Sequence, residues 1–254
     1  MIGARYVNQD WFLDSIRLKT PEGLLTGSLR SQGASSVESR FTITSTDVGK
    51  LLERFGVKDT FYKGEGKVSG DLSWPGTLID FNLARVSGQM QTDLSNGRFA
   101  KVDPGVARLL GVISLQSLTR RIKLDFTDVF SEGFSFDSLK GNSLIKQGIF
   151  TSDNMVMKGP AADVRIQGEV NLAAETQKIM LHVEPHLSEG FALAAGAAMI
   201  NPVIGVAALA AQKVLQDPVS KIFAVDYRVT GTLSDPVVTK VKTPTSNLLR
   251  KIRP

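Results

Sequence analysis

The sequence predicts a mainly β protein with inserted helices, built as a long, curved antiparallel sheet that forms an apolar groove, with a helical hairpin near the C-terminus. Three observations carry this. Apolar and polar residues alternate with period two over many short runs. Compact turn signals separate those runs, and neighbours joined so closely pair antiparallel because parallel pairing needs long crossovers. One long uncharged stretch, rich in alanine and glycine, breaks the pattern near the end of the 254-residue chain.

Taken along the chain, residues 1–10 have neither the basic start nor the apolar run of a signal peptide. Trp11 to Lys19 already alternates like a strand. Entry into strand structure this early leads us to expect the end of a longer protein, with any targeting segment upstream. Short alternations follow at Phe41/Ile43, Val68/Leu72, Phe81/Leu83 and Phe134/Phe136. The longest covers 164–172, where Val164, Ile166, Val170 and Leu172 share one side and Arg165, Gln167, Glu169 and Asn171 the other. It returns at Ile179, Leu181, Val183 and at Phe223, Val225, Tyr227, Val229. Turns are expected at Thr20-Pro21-Glu22-Gly23, Trp74-Pro75-Gly76, Ser95-Asn96-Gly97, Lys140-Gly141-Asn142, Lys158-Gly159-Pro160 and Ser234-Asp235-Pro236. The whole, 1–254, reads as a single domain.

Two helices interrupt the strands. Ser45-Thr46-Asp47 opens one that runs to Phe55, with Val48, Leu51, Leu52 and Phe55 at helical spacing and Gly56 as its stop. Asp103 before Pro104 caps a second, leading into Val106, Leu109, Leu110 and Ile113. Each reads as a lid or plug on the sheet, or as ordinary core filling.

Residues 190–212 contain no charge. Asn201-Pro202 divides this stretch, so 187–216 reads as a helical hairpin whose halves, each about 21 Å long, are too short to span a bilayer alone. Two readings stay open. The hairpin is buried against the apolar side of the sheet, or it dips into a membrane through Phe191, Leu193, Met199, Ile200, Val203, Ile204 and Leu209, with Lys213 and Lys221 at the polar boundary. Beyond Asp235 the chain has no acid and five basic residues, so 240–254 is a basic tail on a neutral body. That distribution argues against nucleic-acid binding, which spreads basic residues over a face.

Zero cysteines exclude disulfides, thiolate metal sites and a cysteine nucleophile. His182 lies in an alternating strand and Pro185 precedes His186, so the pair is not a helical metal clamp. Gly64-Glu65-Gly66-Lys67 lacks phosphate-loop spacing and reads as a strand turn, and no nucleophile elbow is present. Nothing supports an enzyme, a metal or a cofactor.

Several uncommon strings occur in a recognisable order: Pro104-Gly-Val-Ala-Arg-Leu-Leu-Gly-Val-Ile-Ser-Leu-Gln-Ser-Leu-Thr-Arg-Arg121, Leu124-Asp-Phe-Thr-Asp-Val-Phe-Ser-Glu-Gly-Phe-Ser-Phe-Asp137, Met157-Lys-Gly-Pro-Ala-Ala162 and Ala174-Glu-Thr-Gln177. Over roughly residues 40–240 the chain resembles the C-terminal region of YhdP-like proteins, within the AsmA-like family of Gram-negative envelope proteins. Thr119 stands where that pattern has proline, which touches only a local turn.

The resemblance implies a repeating β-groove in a periplasmic protein, anchored in the inner membrane and reaching the outer membrane, that conducts phospholipid and maintains the outer-membrane barrier. No catalytic residue comes with it. Its implied partners are phospholipid and the outer-membrane surface; an envelope protein partner belongs to the alternative below, and the charge distribution speaks against nucleic acid. The groove would be lined by the alternating residues Val164, Ile166, Val170, Leu172, Ile179, Leu181, Val183, Phe223, Val225, Tyr227 and Val229. The alternative is a scaffold whose core is filled by its own helices and which docks a protein partner.

Overall fold

The computed structural model describes residues 2–99, 134–186, 224–233 and 235–241. Among them are twelve strands: β1 (Ile2–Val7), β2 (Asp10–Thr20), β3 (Gly23–Gln32), β4 (Ser36–Ser45), β5 (Phe61–Pro75), β6 (Ser87–Phe99), β7 (Ser135–Lys146), β8 (Ile149–Lys158), β9 (Ala162–Asn171), β10 (Thr176–Pro185), β11 (Val225–Gly231) and β12 (Pro236–Val241). They form one open, curved antiparallel sheet in sequence order. Two-residue turns join several neighbours. Asn8 and Gln9 between β1 and β2, and Gln147 and Gly148 between β7 and β8, take positive φ, the turn geometry that matches strand twist.

The predicted first helix is α1 (Val48–Arg54), capped by Asp47, whose Oδ1 accepts from the Lys50 N–H at 3.0 Å. Val48 and Leu52 pack onto the sheet, and Gly56 follows the helix with φ 89°. The second predicted helix, from Asp103, lies outside the described residues, as does 187–216.

Four local expectations are corrected. Phe81/Leu83 is not a strand: short 3-10 turns at Leu78–Asp80 and Leu83–Arg85 carry the chain from β5 to β6. Ser95-Asn96-Gly97 lies inside β6, Lys140-Gly141-Asn142 inside β7, and Gly64 to Lys67 inside β5. Glycine there marks kinks and close approach within paired strands rather than chain reversal.

Those irregularities keep apolar residues on one face. In β2, Leu13 pairs with Leu29 but Ile16 with Gly27, so one extra residue shifts the alternation and leaves Leu13, Ile16 and Leu18 on the same side. In β8, one extra residue between Ser152 and Met155 does the same for Phe150, Met155 and Met157. In β5 and β6, Lys63, Gly64 and Asn96 take positive φ, and the in-facing positions change from Gly66 and Leu94 to Phe61 and Phe99. Phe61, Phe99 and Phe136 then meet with ring centroids 5.2 to 5.6 Å apart.

Two apolar clusters result. Phe61, Leu94, Phe136, Leu139, Met157, Val164 and Val183 form one on the margin that carries α1. Val37, Trp74, Val86 and Ile145 form the other, toward the opposite margin. Burying each such side chain contributes about 1.5–3 kcal/mol, against about 0–1 kcal/mol for an exposed ion pair. The apolar face therefore fixes the register.

Glycine is required where neighbouring backbones crowd that face. Gly66 and Gly88 have φ of 143° and 149°, and an added Cβ would sit 2.2 Å from the Asp93 carbonyl oxygen and 2.0 Å from that of Asp71. We predict that Gly88→Ala costs about 3 kcal/mol or more in urea unfolding. Gly33→Ala, at φ 55° with nothing within 4 Å, costs about 1 kcal/mol. Equal shifts of the two midpoints would contradict this account.

Candidate functional site: the apolar face of the sheet

Cross-strand pairing lines the in-facing residues up in rows. One row runs Leu94, Leu139, Met157, Val164, Val183, Val225 across six strands. The next runs Met155, Ile166, Leu181, Tyr227. A third joins Ile179, Val229 and Val238 beside Gly168. A fourth crosses nearly the whole sheet as Leu13, Leu29, Ser39, Leu72, Gly88, Ile145, Phe150, Val170.

Nine of the predicted groove residues thus sit on β9, β10 and β11 in these rows. Val164 and Val183 are buried, at 3% and 7% exposure, while Ile166, Leu181 and Tyr227 are half-buried. Burial pushes the Tyr227 phenol above its ordinary pKa. Leu172, expected in the strand, lies in the turn after β9, where its N–H donates to the Gly148 carbonyl at 3.3 Å. Phe223 lies outside the described residues, as do Phe191, Leu193, Met199, Ile200, Val203, Ile204 and Leu209.

Sequence reasoning missed the part of the face on β2 to β8. Glycines occupy in-facing positions there, at Gly27, Gly70 and Gly88, so the apolar alternation is broken at every few residues. The usable signal was the glycine itself, two or four residues from an apolar neighbour of the same face, as in Gly70 and Leu72.

The opposite face is charged and paired. Arg40 Nε donates to Asp71 at 2.6 Å, Lys140 pairs with Asp93 at 3.0 Å and Lys178 with Glu169 at 3.3 Å. The Arg40 guanidinium holds the Asp71 carboxyl below its usual range. Arg165 pairs with Glu184, and His182 stands between Asp226 at 2.7 Å and Glu184 at 3.1 Å. His186 faces Asp163 instead, at 3.2 Å, so the two histidines do not converge. Among the described residues no group of three or more His, Asp or Glu is arranged to hold a metal.

Two shallow depressions, about 480 and 530 Å³, open mainly on this charged face, beside Arg40, Asp71 and Gln89 and beside Phe12, Arg30 and Glu38. None of the predicted groove residues lines either. What the described residues offer chemically is a broad surface with an apolar side and a wet side.

This architecture defines a class: an open, single-sheet β protein whose repeating hairpins extend one apolar face sideways. Within it, the chain belongs to the YhdP protein family, whose profile matches residues 2–238. It is similar to a protein of Escherichia coli (strain K12) described as "Intermembrane phospholipid transporter YhdP", with 34% identity over 195 residues. That alignment covers 76% of this chain and 15% of the relative, so the chain spans a small part of the relative's length. No solved structure matches.

One contact pins α1 at the margin of the face. Arg54 donates from Nε and Nη2 to both Glu22 oxygens, at 3.0 and 2.7 Å, and holds the Glu22 carboxyl at about 2. The folded value lies below the unfolded one, so the stabilisation is present above the ordinary carboxylate range and is lost as pH falls through about 2. We predict a Glu22 carboxyl NMR midpoint near 2 that returns to the ordinary range in Arg54→Gln. An unchanged midpoint in the variant would disprove the assignment.

Proposed function

We propose that this chain is part of a non-enzymatic protein that carries phospholipid between the inner and outer membranes of a Gram-negative envelope, sheltering the acyl chains against the apolar face. The observation that carries the reading is the continuity of the rows. In-facing apolar residues recur from Leu13 on β2 to Tyr227 on β11, and the ion pairs Arg40–Asp71 and Lys140–Asp93 lie on the other face. The family membership and the name of the E. coli relative support the same substrate class.

Physical necessity explains the form. A phospholipid with about 30 methylenes loses on the order of 24 kcal/mol when its chains are exposed to water, at about 0.8 kcal/mol for each methylene. Passage through an aqueous compartment therefore needs apolar contact along the path, with the headgroup left wet. Differences in affinity from place to place must be small, or the lipid would stop. A broad face of Val, Ile, Leu and Met, interrupted only by small residues such as Ser39, Gly70 and Gly88, meets that requirement better than a deep pocket.

In this reading 187–216 engages the outer-membrane surface and the basic tail, 240–254, meets anionic headgroups. A second reading draws on the low exposure of Val164 and Val183: the core is self-filled and the chain is a scaffold that docks an envelope protein.

Photoreactive residues at Ile166 and Leu181, in cells labelled with radioactive phosphate, separate the two. Conduction predicts labelled phospholipid at both positions and none at the outward neighbours Arg165 and Met180. Protein adducts alone at Ile166 and Leu181 would establish the scaffold.

A further inference from the structure

The connection between β5 and β6, residues 76–86, holds three large apolar side chains out into solvent. Ile79 is 92% exposed, Phe81 51% and Leu83 46%. A loop that is merely poorly folded would leave its backbone unsatisfied, and this one does not. Asp80 Oδ2 accepts from the Thr77 N–H at 2.7 Å and from Thr77 Oγ1 at 2.6 Å, while Asn82 Oδ1 accepts from the Ala84 N–H at 2.9 Å. Trp74 Nε1 donates to the Thr77 carbonyl at 3.1 Å, and the Trp74 and Phe81 rings meet edge to face at 5.2 Å. The apolar tip is pre-organised in the exposed state.

Charge tells what it fits. Asp80 is the only acid in 76–86, and its carboxylate is turned back onto Thr77, which holds it below the usual range. Arg85 is exposed at the base of the tip. The Gly148 N–H donates to the Val86 carbonyl at 2.8 Å, tying the β7–β8 turn and its exposed Lys146 to the same margin. An apolar tip with two cations at its base matches the boundary of an anionic bilayer, with hydrocarbon beneath and phosphates at the rim. A protein groove would accept the apolar residues, but would give the flanking cations no general role.

We propose that residues 77–85 are a membrane-docking tip, in which Ile79, Phe81 and Leu83 enter the headgroup boundary of an anionic lipid surface and Arg85 and Lys146 hold the phosphates. The tip, 77–85, does not include 187–216. The strand ends that bound 187–223, at Pro185 and Val225, lie on the margin that carries α1, opposite this tip. It also stands apart from lipid conduction, since docking requires only a surface.

The chain has no cysteine, so Ile79→Cys gives a single labelling site in the full chain. An environment-sensitive fluorophore there is expected to shift to the blue with phosphatidylglycerol vesicles. The same fluorophore at Thr44→Cys, on the charged face, is expected to stay unchanged. Arg85→Gln and Lys146→Gln are each expected to weaken the vesicle-dependent shift about fivefold. Ile79 is almost wholly exposed, so labelling there leaves the fold intact, and circular dichroism checks this. Three results overturn the proposal: no shift at position 79 with phosphatidylglycerol vesicles, an equal shift with neutral phosphatidylcholine, or a shift that follows protein concentration without vesicles.

Discussion

Everything in this sheet depends on the alignment of in-facing apolar side chains across antiparallel neighbours. Among the described residues there is one sheet, and a slip of one residue in any strand would exchange a row of Val, Leu and Met for Arg, Asp and Lys. The pairs that hold the outer face, such as Arg40 with Asp71 and Lys140 with Asp93, are exposed and individually weak. They follow the register that burial sets. Val164 between Met157 and Val183 shows the arrangement at its most complete, with all three buried.

The departures from regular pairing serve the same alignment. A strand that is bent and still keeps one face apolar must shift its alternation wherever the bend inserts a residue, and β2 and β8 do so between Leu13 and Ile16 and between Ser152 and Met155. Glycine serves where backbones crowd on the apolar side. Gly66 and Gly88 leave room that no other residue could, and Gly97 admits the Phe61 and Phe136 rings over the strand. These irregular residues keep the in-facing side chains of neighbouring strands in line.

Much of the strand order was legible in the sequence because period-two alternation and compact turns are local signals. The 164–172 run gave β9 almost whole, and Asp47 with Gly56 bounded α1. The differences have physical causes. Ser95-Asn96-Gly97 and Lys140-Gly141-Asn142 have turn chemistry, yet they lie within strands, since Asn and Gly serve a kink as well as a reversal. Phe81 and Leu83 alternate like a strand but belong to a loop, where Phe81 is drawn to Trp74 rather than to a ladder. The candidate face was read only on β9 to β11, because pairing across β2 to β8 is a long-range property and glycine hides its pattern.

A lane for acyl chains follows if the aligned face is reachable by hydrocarbon along its length. Both tryptophans report on it. Trp74 and Val37 are paired neighbours, and Trp11, whose backbone N–H donates to Ser31 Oγ at 2.7 Å, lies on the same side and is 43% exposed. The most direct measurement is quenching of each tryptophan, in the single Trp→Phe variants of the other, by phospholipid brominated along its acyl chains. The account predicts strong quenching of Trp11, weaker quenching of buried Trp74, and little from lipid carrying a quencher on its headgroup. Bound lipid that leaves Trp11 unquenched by its acyl chains would contradict it.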